Sequence, residues 1–114
     1  MKRVSYCGES FLTTDEGADA LLHFVAALDD RHESELVEMP AVQRDGRTMT
    51  VQLIVGSTSE LISIPETGRW EEPDTTLAVA HLRNRSRMVS AQPGENYSEA
   101  SAALEYGWDD IYAL

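Results

Sequence analysis

The side chains able to do chemistry are few and scattered: one cysteine, Cys7, and three histidines, His23, His32 and His81. Nucleophilic catalysis needs a Ser, Cys or Lys held against a base, and no elbow motif surrounds Cys7. A lone cysteine on a first strand reads as a small buried hydrophobe. His32-Glu33-Ser34-Glu35 sets a histidine among carboxylates but lacks the second histidine, four residues on, of a helical zinc site. It reads as a solvated loop after a helix. Glu71, Glu72 and Asp74 offer three carboxylates without the alternating spacing or central glycine of a calcium loop. Arg83, Arg85 and Arg87, if they alternate along a strand, share one face that an anion or cross-strand acids would occupy, and acids are the commoner partners. Glycine-rich phosphate loops are absent, and carboxylate pairs discriminate nothing in a chain this acidic. No catalytic, cofactor-binding or metal-ligating set is assigned.

Charge is more informative. Twenty Asp and Glu against nine Lys and Arg in 114 residues leave a formal net charge of -11. Such a surface repels nucleic acid and anionic lipid, and it raises the encounter rate with a cationic protein by roughly 10 to 1000-fold. The acids gather in three tracts: Asp29, Asp30, Glu33, Glu35 and Glu38; Glu66, Glu71, Glu72 and Asp74 around Trp70; and Glu95, Glu99, Glu105, Asp109 and Asp110 around Trp108. Binding hot spots favour Trp at the centre with charges at the rim. Trp70, Glu66, Glu71, Glu72, Asp74, Trp108, Asp109 and Asp110 are therefore the expected contacts to a basic protein partner. The competing reading has both indoles plugging the core while the acids only solubilise the chain.

The elements that must position these residues follow from spacing. Thr13-Thr14-Asp15-Glu16 has the form of a capping box, with Thr13 as the cap of a helix ending near Asp29 or Asp30. Ala18, Leu21, Leu22, Val25 and Leu28 recur at helical spacing, with Asp15, Asp19, His23 and Asp30 on the other side. Val37, Met39 and Ala41 then alternate with polar positions, as do Met49, Val51, Leu53 and Val55. A three-residue loop, Arg44-Asp45-Gly46 with Gly46 left-handed, sets Ala41 opposite Met49, Met39 opposite Val51 and Val37 opposite Leu53. A third strand is expected to put Ile62 beside Leu53 and Ile64 beside Val51. That leaves Ile54 across from Leu61 on the far face, to be covered by the C-terminal segment, a partner or a second copy.

Residues 65–75 read as an ordered surface loop, 77–82 and 87–91 as strand-like pieces, and the stretch after Asn96 as a short helix ended by Gly107. The expectation is one α+β domain spanning 1–114: an antiparallel sheet meander with the N-terminal helix packed on one face and a short C-terminal helix. A single cysteine leaves no intramolecular disulfide, and no apolar stretch is long enough to cross a bilayer, so a cytoplasmic protein, monomer or homodimer, is expected.

The stretch Thr48-Met49-Thr50-Val51-Gln52-Leu53-Ile54-Val55-Gly56, the following Glu60-Leu61-Ile62-Ser63-Ile64, and the late Ser98-Glu99-Ala100-Ser101-Ala102-Ala103-Leu104-Glu105-Tyr106-Gly107-Trp108 resemble the immunity proteins of bacterial polymorphic toxin systems. The resemblance covers about the last two thirds of the chain. It implies a non-enzymatic inhibitor, without cofactor, that covers the active site of a cognate nuclease or deaminase toxin, whose basic cleft suits an acidic cap. Two other readings stand beside it: an acidic nucleic-acid mimic that inhibits DNA-handling enzymes, and a small ligand-binding domain or enzyme with its own pocket.

Overall fold

The computed structural model describes residues 1–90. The expected short helix after Asn96, with Trp108, Asp109 and Asp110, lies outside the described residues. The chain begins with a hairpin that the sequence reading did not resolve: β1 (Lys2–Tyr6) and β2 (Glu9–Thr13) pair antiparallel with Val4 opposite Phe11. Cys7 and Gly8 make its two-residue turn, both at positive φ (54° and 81°), the twist that matches two right-handed strands. Cys7 is consequently exposed in that turn and is not the buried hydrophobe expected of it.

Helix α1 (Asp15–Ala27) follows, capped by Thr14, whose hydroxyl accepts from the Gly17 N–H at 2.9 Å. The cap is one residue later than Thr13, because Thr13 still belongs to β2 and donates its hydroxyl proton to the Pro40 carbonyl at 2.8 Å. Two longer strands, β3 (Glu35–Val42) and β4 (Thr48–Val55), form the second hairpin. Its register is the expected one: Ala41 faces Met49, Met39 faces Val51 and Val37 faces Leu53, with Gly46 at φ 89° in the loop. Packing sets this register, since a one-residue slip would turn the Val37, Met39 and Ala41 face out to water.

Strand β5 (Ile62–Pro65) departs from expectation. It pairs with β1, not β4, with Ile62 opposite Ser5 and Ile64 opposite Arg3. Ile54 faces Leu36 rather than Leu61, and both are more than half exposed. The sheet order is β4-β3-β2-β1-β5, antiparallel throughout, with β2 and β3 joined only where Leu12 meets Val42. The Tyr6 hydroxyl donates to the Ile54 carbonyl at 2.7 Å and shares a 3.1 Å hydrogen bond with Ser59. Three strand spacings would separate β1 from β4 by about 14 Å in a flat sheet, beyond the reach of a tyrosine, so the sheet is curled.

The last described element is helix α2 (Thr76–Ser90), where two strand-like pieces were expected. Its buried positions, Val79, Leu82, Ser86 and Val89, recur every three or four residues, which is helical spacing. Arg83 and Arg87, four residues apart, therefore lie on one face of the helix and Arg85 on another, so the three do not line up as they would along a strand. Ser86 is tolerated among apolar neighbours because its hydroxyl donates to the Leu82 carbonyl at 2.8 Å. The two helices start side by side: Thr14 and Thr75, one residue before each helix, share a buried hydroxyl hydrogen bond of 2.6 Å. The second helix also explains why His23 is buried on a side of α1 expected to face solvent. Phe24, Leu21, Met39, Leu82, Val4 and Val55 are the largest fully enclosed apolar side chains. The molecule is an α+β protein, and no helix among the described residues is long and apolar enough to cross a membrane.

Candidate functional site

Below the Leu12–Val42 contact the two hairpins part, and a cleft of about 770 Å³ opens between their tips. Phe11, Leu12, Val42 and Met49 supply its apolar lining, and Trp70 with Arg69 closes one side. The loop that brings Trp70 there is anchored at both ends. The Glu66 N–H donates to the Met1 carbonyl at 3.0 Å, continuing the pairing of β5 with β1, and Gly68 sits against Met1 and Leu12. Trp70 then lies on Gly46, so closely that a Cβ there would come within 2.5 Å of the indole. Gly46 thus serves the hairpin turn and the seat of the tryptophan at once. The Arg69 guanidinium stacks over the Trp70 ring at 5.0 Å, a cation–π contact that holds the half-buried indole from its open side.

The acids expected around Trp70 divide into two kinds. Glu66 takes both Arg3 nitrogens, Nε at 2.7 Å and Nη2 at 2.8 Å, a fork geometry that lowers its pKa and raises that of Arg3. Asp74 accepts from the Thr76 N–H at 3.0 Å, and its bonds to Thr76 keep it below the ordinary carboxylate range. Both have structural work to do. Glu71 and Glu72, by contrast, are exposed and meet no basic partner among the described residues. Neither lines the cleft. They stand next in the chain to its tryptophan, while the cleft itself mixes Arg44 and Arg69 with Glu9 and the Arg3–Glu66 pair.

No family model, curated protein or solved structure matches this chain.

The first acidic tract is also largely engaged. Asp29 accepts from the Arg31 side chain (2.8 and 3.1 Å), from the Arg31 N–H (2.9 Å) and shares a 2.8 Å contact with His32. The Arg31 bonds come first in holding its pKa down to about 2. Its folded-state pKa lies below the unfolded value, so any stabilisation it brings is complete above the ordinary carboxylate range and is lost as pH falls toward about 2. Carboxyl-resolved NMR titration should give that low midpoint, and Arg31→Ala should move it up toward an ordinary aspartate; an unchanged midpoint would rule out the arginine as the cause. Glu35 is bound by Arg85 of α2, tying that helix to the start of β3. Asp30 accepts from the Ser57 hydroxyl at 3.2 Å and Glu38 from the Gln52 amide at 3.2 Å.

His23 sits on α1 and His81 on α2, while Cys7 lies in the turn of the first hairpin. Burial is the main cause of the lowered pKa of His23, reinforced by Arg83 and opposed by Asp19. Among the described residues no group of three or more His, Cys, Asp or Glu side chains is placed to hold a metal ion. Sequence reasoning identified Trp70 but missed the cleft, because one of its walls is the N-terminal hairpin. The two turn residues with positive φ, Cys7 and Gly8, were the available signal, and Cys-Gly is a weak one.

Proposed function

We propose that this protein is a small acidic binding protein that inhibits a cationic partner, in the manner of an immunity protein that covers the active site of a bacterial nuclease or deaminase toxin. One observation carries the reading: a partly buried tryptophan lines a cleft, followed directly by two exposed carboxylates that no base in the described fold neutralises. The charges of the cleft itself are mixed, so the cleft supplies an anchor for a projecting side chain, and the acids beyond it supply attraction. The division matches the hot-spot pattern, with the aromatic governing residence time and the outer charges governing association.

The basic residues support this division. Lys2, Arg3, Arg31, Arg47 and Arg85 are each taken by an acid of the same chain. Glu9, Glu33, Glu60, Glu71 and Glu72 remain exposed with no basic partner among the described residues, which leaves the negative field directed outward.

The test is capture of the tagged full-length chain from its native lysate with washes of graded salt, followed by growth assays. One basic protein is expected, released by salt, toxic when expressed alone and harmless when co-expressed with this chain. Trp70→Ala and Glu71→Lys should each weaken the complex at least about tenfold, or about 1.4 kcal/mol. Capture of many unrelated DNA-handling proteins would replace this reading with nucleic-acid mimicry, and a captured protein whose binding ignores both substitutions would remove the Trp70 loop from the interface.

A further inference from the structure

Strand β4 is an edge strand whose outward side lacks the features that keep edges apart. The Gln43 N–H donates to the Arg47 carbonyl at 2.7 Å, which makes Gln43 and Arg47 a hydrogen-bonded pair. Antiparallel alternation then turns the peptide groups of Met49, Val51, Leu53 and Val55 toward β3, and those of Thr48, Thr50, Gln52 and Ile54 away from it. The Ile54 carbonyl is met by the Tyr6 hydroxyl, as that alternation requires. The N–H and C=O groups of Thr48, Thr50 and Gln52 take part in no backbone hydrogen bond among the described residues.

Natural edges are blunted by charge, proline, a bulge or shortness. The opposite edge is: β5 has four residues and ends at Pro65. β4 has eight, without a proline and without a single Asp, Glu, Lys or Arg, in a chain of net charge -11. Thr48, Thr50 and Gln52 are exposed, and Met49 and Val51 beside them are only partly covered. Two chains this negative repel each other over most of their surfaces, and this neutral strip is where they can approach.

We propose that a second copy of this chain pairs here, β4 against β4, antiparallel about a two-fold axis at Thr50. In that register Thr50 faces Thr50 and Thr48 faces Gln52, each pair exchanging both N–H and C=O, while Met49 meets Val51 on the helix side. Centring on Gln52 instead would ask for the Ile54 carbonyl that Tyr6 already occupies. The result is one sheet continuous through both copies. The contact is narrow, so the dimer is weak, with a dissociation constant on the order of 10 µM.

Sedimentation equilibrium of the full chain over a range of concentrations tests this. A monomer–dimer equilibrium is expected, tightened by added salt because the copies repel; capture of a cationic partner responds to salt in the opposite sense, so the two proposals fail separately. Thr50→Glu places like charges across the axis and should weaken the dimer at least about tenfold. Thr50→Pro removes an N–H that the monomer does not use and should do the same. Thr58→Glu, the same charge change at an exposed turn position, should leave the equilibrium unaltered. A chain that stays monomeric to about 1 mM, well past the weak-contact range, overturns the proposal. So does a dimer indifferent to both Thr50 variants, and so does hydrogen-exchange protection of the Thr48, Thr50 and Gln52 amides in a monomer, which would show that the chain covers its own edge.

Discussion

Gly46→Ala is expected to lower the unfolding free energy by about 3 kcal/mol, a large effect for the addition of one methyl group. Two costs add. A residue with a Cβ held at φ 89° loses about 1–2 kcal/mol, and the new Cβ would lie 2.5 Å from the Trp70 ring, which must move. Gly8 separates them. It is also at positive φ, 81°, but a Cβ there would meet nothing within 4 Å, so Gly8→Ala should cost only the conformational part, about 1 kcal/mol. The same substitution at Gly46 in a Trp70→Ala background should fall to that smaller value, a coupling of about 2 kcal/mol. Urea unfolding of the four variants measures it. Equal losses for Gly8→Ala and Gly46→Ala would mean that the indole does not rest on the hairpin tip, and the cleft would lose its wall.

That pair of glycines also shows what was legible in the sequence. The β3–β4 register could be read because two alternating segments and one glycine admit few turns that keep both apolar faces together. No comparable constraint ties Ile62 and Ile64 to a neighbour. They are exposed, so the face they present says nothing about which strand lies beside them, and β1, with Arg3 and Ser5 opposite them, has no apolar pattern pointing outward. Trp70 was legible as a residue but not as a wall of a cleft, since the cleft depends on β2 parting from β3 after a single pairing. Helix α2 was illegible for another reason: one of its four buried positions is Ser86, and the large Leu77 and Met88 are exposed. The stripe that periodicity seeks is there only once a serine is allowed to satisfy its own hydroxyl within the helix.

Phe24→Ala is expected to cost about 4 kcal/mol, within the roughly 3–5 kcal/mol range of a fully enclosed phenylalanine. The prediction follows from a part of α1 that periodicity underestimates. A stripe of Ala18, Leu21, Leu22, Val25 and Leu28 describes a helix with one covered side. Here α2 covers a second side, so Phe24 and Ala20 have no exposure at all and His23 is buried, while Leu22 keeps partial exposure. Leu22→Ala should therefore cost only about 1 kcal/mol, although both residues are large, apolar and two positions apart. Denaturant unfolding with an unchanged slope would confirm that both variants lose native packing rather than change the unfolded chain. The reverse order of losses would mean that α2 does not lie against α1 where Thr14 meets Thr75. Removal of α2 from that place would also release Arg85 from Glu35, so the open end of the β3–β4 hairpin and the helix pair stand on the same packing.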